Sequence, residues 1–199
     1  MKKGADPRTI RTKQMFADAL VALLDKKSLD AITVQDLVNY SGLSRATFYR
    51  NYIDKEDFLE KLMNDLIDGL LQLIVTNDTI VDFTDQHYKK FFQYISDRAV
   101  FFKVFMNYRK WPAFREKHVE KGVAAFERII AKHQDKLAGN FSIPFIANYI
   151  ISANMGIISY WLEDGMRLSA DYMAEQVALF TMEGPLKIVG LDKYAQLPR

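Results

Sequence analysis

Five neighbouring side chains, Arg45, Ala46, Thr47, Tyr49 and Arg50, have the chemistry to meet a nucleic-acid groove. An arginine forks onto the O6 and N7 of guanine, threonine and alanine fit a thymine methyl, and aromatic and basic groups further along hold phosphate. They can act together only from one side of a helix. Phe48 and Tyr52, one turn apart, supply the opposite side and anchor it inward with Leu43. By itself the pattern also describes an amphipathic helix with solvated arginines, so the elements around it matter.

Three cap signals follow one another. Thr33 precedes Val34, Leu37 and Val38 with Asp36 at the third helical position; Ser44 precedes Phe48; Asp54 precedes Phe58, Leu59 and Leu62 with Asp57 at the third position. Between the first two, Ser41-Gly42 can take the left-handed conformation that ends a helix and redirects the chain. The result is a tight helix-turn-helix. The amide-rich starts at Thr33 and Asp54 can each face a backbone phosphate, with the Lys55 charge beside the second. Upstream, Phe16, Leu20, Leu23 and Leu24 predict a helix from about Thr9 to Lys26.

The helix from Asp54 is expected to reach about Val75, ahead of the polar Thr76-Asn77-Asp78-Thr79 stretch. Five more helices are expected, roughly Thr84 to Ser96, Asp97 to Tyr108, Ala113 to Asp135, Ile143 to Glu163 and Ala170 to Glu183, punctuated by Pro112, Gly139-Asn140, Gly165 and Gly184-Pro185. Strand-like runs are confined to Thr79–Thr84 and Leu186–Leu191. The fold class is therefore expected to be all-α: a three-helix domain with a helix-turn-helix at 1–53, a connecting helix at 54–76, and a larger helical domain at 77–199.

The chain has 199 residues, is 49% hydrophobic and lacks cysteine, which excludes disulfide staples and thiolate sites. Its formal net charge is +2, but basic residues outnumber acidic ones between Met1 and Lys55. No apolar stretch follows the basic start as in a secretory leader, so a cytoplasmic protein is expected. Phe145 to Leu162 is long and apolar enough to resemble a membrane span. Asn148, Ser152, Asn154 and Ser159 favour a soluble helix buried on all sides instead. His87, His118 and His133 lack metal-ligand spacing, and no phosphate loop or nucleophile elbow is present, so neither an enzyme nor a metal or other cofactor is expected.

In the C-terminal half, Ser152, Gly156 and Ser159 form one small-residue stripe. With Met173, Val177 and Phe180 on the last helix they are the expected subunit interface. Tyr88, Phe92, Phe105, Tyr108, Trp111 and Tyr149 are the candidate lining of a ligand pocket among aromatics that are mostly core.

Taken together, the run from Arg8 to Leu62 resembles the DNA-binding domain of the TetR/AcrR family of repressors. The motifs that carry the likeness are Ala31-Ile32-Thr33-Val34-Gln35-Asp36-Leu37, Ser41-Gly42-Leu43-Ser44-Arg45-Ala46-Thr47-Phe48-Tyr49-Arg50-Asn51-Tyr52 and Asp54-Lys55-Glu56-Asp57-Phe58-Leu59. The resemblance implies base reading by Arg45, Ala46 and Thr47, and phosphate contacts from Tyr49, Asn51, Lys55 and, on the other side, Thr33. Many relatives carry histidine where this chain has Asn51, whose amide can still donate to phosphate. Tyr160-Trp161-Leu162-Glu163-Asp164-Gly165-Met166, with Ser169 and Met173-Ala174, is similar to the end of the regulatory domain in one branch, where the last two long helices pair into a homodimer. The implied function is a sequence-specific transcriptional regulator, a repressor released from double-stranded operator DNA by a small-molecule effector. The alternative is a regulator of the same fold controlled by a protein partner, and a more distant one is an enzyme.

Overall fold

A computed structural model describes residues 6–74, 85–106, 108, 111–131 and 142–184, and its elements over these residues are helical. The chain divides into two compact units, Met1–Leu66 and Ile67–Arg199. The division falls inside a helix rather than at either end of the expected connecting segment.

In the first unit, α1 (Pro7–Leu24) starts where the Asp6 carboxylate accepts from the Arg8 amide, and Pro7 fills the first helical position, where no amide is needed. A single 3-10 turn, Leu29–Ala31, follows, which the sequence reading did not anticipate. α2 (Val34–Ser41) opens with a reciprocal cap. The Thr33 hydroxyl accepts from the Asp36 amide, and the Asp36 carboxylate accepts from the Thr33 amide. It ends at Gly42, whose φ of 68° is costly for any residue with a Cβ. After that turn come α3 (Arg45–Asn51) and α4 (Lys55–Ile74).

Rings hold these helices together. Phe16 of α1 meets Phe48 of α3 edge-on at 5.3 Å, Phe48 lies 5.2 Å from Tyr52, and Tyr52 lies 4.9 Å from Phe58 of α4. Edge-to-face pairs such as the first and the last contribute about 0.5–1.5 kcal/mol each beyond the area they bury. Burial pushes the Tyr52 hydroxyl up to about 12, with Asp65 and Asp57 adding to the shift, so the ring stays neutral.

The second unit contains the rest of α4 with α5 (Asp85–Ser96), α6 (Ala99–Met106), α7 (Trp111–Ala131), α8 (Ile143–Glu163) and α9 (Ala170–Glu183). Its core joins Phe91, Phe92 and Ile95 of α5 to Trp161 and Leu162 of α8 and to Met173, Ala174 and Val177 of α9. Between α8 and α9 the chain reverses through Gly165 and Met166, both left-handed, and the Trp161 indole donates to the Leu168 carbonyl at 2.8 Å. The expected strand-like runs at Thr79–Thr84 and Leu186–Leu191, and the breaks at Gly139-Asn140 and Pro185, lie outside the described residues.

Three sequence expectations differ from the structure. Met173 and Val177 are 5% and 2% exposed, facing the unit's own core, so neither is available to a second subunit. Tyr149, expected in a pocket, is 60% exposed on α8. α8 is not buried on all sides: it is long and apolar enough to cross a membrane, yet only 11% of its most apolar window is covered. The physical reason is common to all three. α8 and α9 are apolar on both faces, so hydrophobic spacing marks them as helices without fixing which face turns inward.

Candidate nucleic-acid interface

α3 is short, and its placement depends on its two ends and one ring. The Ser44 hydroxyl accepts from the Thr47 amide at 3.1 Å, and Phe48 is fully enclosed. With Phe48 pinned, Arg45, Ala46, Tyr49 and Arg50 are exposed on the other side of the helix, while Thr47 and Asn51 are half-buried at its flank. Ser44 is exposed but occupied by its cap, and its hydroxyl lies 2.9 Å from that of Thr47.

Arg45 does not wave freely. One terminal nitrogen donates to the Gln35 side-chain oxygen at 3.1 Å, the other donates to the Tyr49 hydroxyl at 3.3 Å, and the guanidinium carbon lies 5.7 Å from the Tyr49 ring centre. Tyr49 in turn meets Phe48 edge-on at 5.5 Å. The arginine is thus tied through Tyr49 to the first unit's aromatic core. Gln35 was not among the predicted site residues. Its signal was its place on the outward side of α2, next to Asp36 and one turn before Asn39.

Around α3, Thr33 is exposed at the start of α2, where its hydroxyl closes the cap. Lys27 donates to Asp36 at 2.8 Å; that bond, followed by the Thr33 amide and hydroxyl, pulls the Asp36 carboxyl down to about 2. The Asn51 amide donates to the Thr47 carbonyl at 2.8 Å, so the residue caps its own helix.

Lys55 departs from its predicted role. Its ammonium donates to the carbonyls of Leu29, Asp30 and Ile32 at 3.1, 3.2 and 2.8 Å. All three of its hydrogens are engaged in tying α4 to the 3-10 turn, which removes it as a ready phosphate contact. Glu56 and Asp57 in the first turn of α4 further offset the positive helix end expected there.

A short helix with an exposed arginine held at both terminal nitrogens, set behind a glycine turn and beside a capped partner helix, has the form of the second helix of a helix-turn-helix. The all-helical frame around it defines a two-part DNA-binding regulator. The chain belongs to the TetR family of transcriptional regulators: residues 17–62 match the family described as bacterial regulatory proteins, tetR family, and residues 82–182, half of the chain, match the transcriptional regulator C-terminal region. Members of this family are regulators rather than enzymes; they bind operator DNA and act as dimers.

Among curated proteins, the uncharacterized HTH-type transcriptional regulator YxbF of Bacillus subtilis is 23% identical, with 94% of this chain and 49% of that protein covered. The chain thus spans about half the length of that relative. Among solved structures, a TetR-family transcriptional regulator of Syntrophomonas wolfei superposes with a TM-score of 0.70 at 16% identity, covering 92% of this chain and 97% of its own. The dihydroxyacetone kinase operon activator DhaS gives 0.65 at 19% identity, covering 87% and 97%.

Proposed function

We propose that this regulator binds its operator as a homodimer, reads base edges with Arg45, Ala46 and Thr47, and holds backbone phosphate with Thr33, Ser44, Tyr49, Arg50 and Asn51. The observation that carries the reading is the Arg45 guanidinium fixed in the open between Gln35 and Tyr49. Positioning a fork before contact lowers the side-chain entropy lost on binding. Arg45→Ala is expected to relax preference at one position of each half-site by about 1–3 kcal/mol, while Arg50→Ala weakens all sequences alike and flattens the salt dependence. Titrations on a selected operator and its point variants at several salt concentrations separate the two. Unchanged base preference in Arg45→Ala would remove α3 from the reading role.

The homodimer is placed on the open faces of α8 and α9. Phe145, Tyr149, Gly156 and Tyr160 line one side of α8, with Ser152 and Ala153 between them; Tyr172, Leu179 and Met182 line one side of α9. Ser159 and Phe180 sit half-buried at the flanks. Exposed apolar side chains at helical spacing, with Ser152 among those of α8 and Glu175 among those of α9, are what an association surface offers.

Repression is the role typical of the family, whereas the fold neighbour DhaS is named an activator, so the fold alone does not fix the sign. The regulatory half of the proposal is a small, largely apolar effector acting on the second unit in the cytoplasm. Tyr88, Phe92, Phe105 and Tyr108 are all buried there. Tyr88 and Phe92 are packed as core: the Tyr88 hydroxyl donates to Thr181 at 3.1 Å, and Phe92 meets Trp161 edge-on at 5.5 Å. Phe105 and Tyr108 remain as candidate lining, and the Trp111 side chain lies outside the described residues. Binding reciprocity tests the effector: a compound that weakens operator binding must itself be weakened by operator to the same factor.

A further inference from the structure

We infer that Gln35 is a positioning residue: it sets the direction in which Arg45 presents its fork, and through Arg45 it fixes the base preference at one operator position. The inference rests on the reading role proposed for α3 and adds a residue of α2 that does not itself touch that base.

A guanidinium can only donate, so whatever holds Arg45 must offer an acceptor. Gln35 carries both kinds of atom on one amide, and the wrong orientation would put an NH2 group against a cation. The donor-only guanidinium therefore settles which way it points, and a second contact agrees. The Gln35 side-chain nitrogen donates to the Asn39 side-chain oxygen at 2.7 Å, one helical turn along α2. With its nitrogen engaged there, the oxygen faces α3 and accepts from Arg45 at 3.1 Å. The chain of contacts therefore runs Asn39, Gln35, Arg45, Tyr49, ending on a ring that rests against buried Phe48.

Each part of that chain stands on something fixed. α2 is set by the Thr33–Asp36 cap and by buried Leu37 and Val38, and α3 is set by Ser44 and Phe48. Arg45 has several rotatable bonds and lies exposed, so by itself it would sample many directions. Tyr49 on its own helix supports one terminal nitrogen. Gln35 supports the other from a different helix, and two supports on separate elements define a plane for the guanidinium. A bidentate contact with a base edge depends on that plane, whereas a phosphate contact tolerates many. Loss of Gln35 should therefore degrade discrimination more than affinity.

The test measures operator binding and its point variants for the full chain carrying Gln35→Ala, Gln35→Glu, Arg45→Ala and the Gln35→Ala/Arg45→Ala pair. Gln35→Ala should lower preference at the base pair read by Arg45 by about 2- to 10-fold, the range expected for one hydrogen bond. At every other position the preference should hold, as should the thermal midpoint. In Gln35→Glu a carboxylate oxygen still accepts from the guanidinium, so the preference should survive, while the added negative charge weakens all sequences in a salt-dependent way. The paired variant should match Arg45→Ala at that base, because Gln35 acts only through the arginine. A preference lost at a different base pair would make Gln35 a reader in its own right and overturn the inference. So would an equal loss on all sequences, or no change at all. If instead Arg45→Ala itself leaves every preference intact, it is the reading role of α3 that fails.

Discussion

The outward face of α3 and the outward faces of α8 and α9 are both exposed, and they are built on opposite plans. On α3 almost every polar group is tied: Arg45 to Gln35 and Tyr49, Thr47 to Ser44, Asn51 to the backbone of its own helix. On α8, Phe145, Tyr149 and Tyr160 are 73%, 60% and 64% exposed, and a Cβ added at Gly156 would meet nothing within 4 Å. The difference follows from what each surface meets. Reading a base edge needs donors at defined positions, so orientation must be settled in the free protein. Pairing with another apolar surface draws its stabilisation from area, which is non-directional, and asks mainly for an uninterrupted strip.

The largest effect is expected at the ring that orients α3. Phe48→Ala removes a fully enclosed aromatic shared by Phe16, Tyr52 and Phe58 and should cost the first unit about 3–5 kcal/mol. The two tryptophans, Trp111 and Trp161, belong to the second unit, so their fluorescence follows that unit while circular dichroism follows both. In Phe48→Ala the dichroism should lose part of its signal at lower denaturant than the fluorescence does. Coincident transitions would mean that the two units unfold as one.

A smaller effect is expected at the exposed apolar side of α8. Gly156→Arg puts a cation where close helix contact is proposed but where the monomer has open space. Sedimentation should show folded monomers at concentrations at which the unaltered chain is dimeric, with dichroism unchanged. Val177→Glu, on the inward side of α9, is the control: it buries a charge in the core and should unfold the second unit rather than divide the dimer. A folded dimer carrying Gly156→Arg would move the interface elsewhere.

The helix-turn-helix was legible because its determinants are local. Thr33, Ser44, Gly42 and Asp54 each act within three or four residues, and Phe48 and Tyr52 give α3 an unambiguous inner side. The bonds of Lys55 were not legible because the carbonyls it binds are more than twenty residues earlier and converge only through the Leu29–Ala31 turn. Gln35 escaped for a similar reason: its partner Arg45 sits across the turn, and nothing in spacing predicts which exposed amide faces which arginine. In α9 the obstacle is different. Met173 and Val177 face in while Leu179 and Met182 face out, yet all four are apolar, so composition carries no phase and only the packing of Trp161 and Phe92 against one side decides it.

The smallest expected effect lies at the cap that steadies α2, and it is a pH effect. Lys27 and the amide and hydroxyl of Thr33 stabilise the ionised Asp36 carboxyl, taking it from the ordinary 3.8 to about 2. A carboxyl whose pKa is lower in the folded chain contributes stability that is complete above its unfolded value and disappears as pH falls through its folded one. The contribution should therefore be full above about 4 and gone near 2. Because the group is at the surface and screened, the change is modest, and other carboxylates titrate nearby; the informative quantity is the difference between the unaltered chain and Asp36→Asn. That difference should be constant from neutral pH down to about 4 and shrink between 4 and 2, where the unaltered chain loses what the variant never had. The dichroism transition of the first unit measures it. The same variant at neutral pH should also weaken discrimination at the Arg45 base pair slightly, since a frayed α2 start loosens Gln35 one residue before the missing carboxylate. A parallel pH course for the two proteins would mean that the cap carries no linked proton and that α2 is held by Leu37 and Val38 alone.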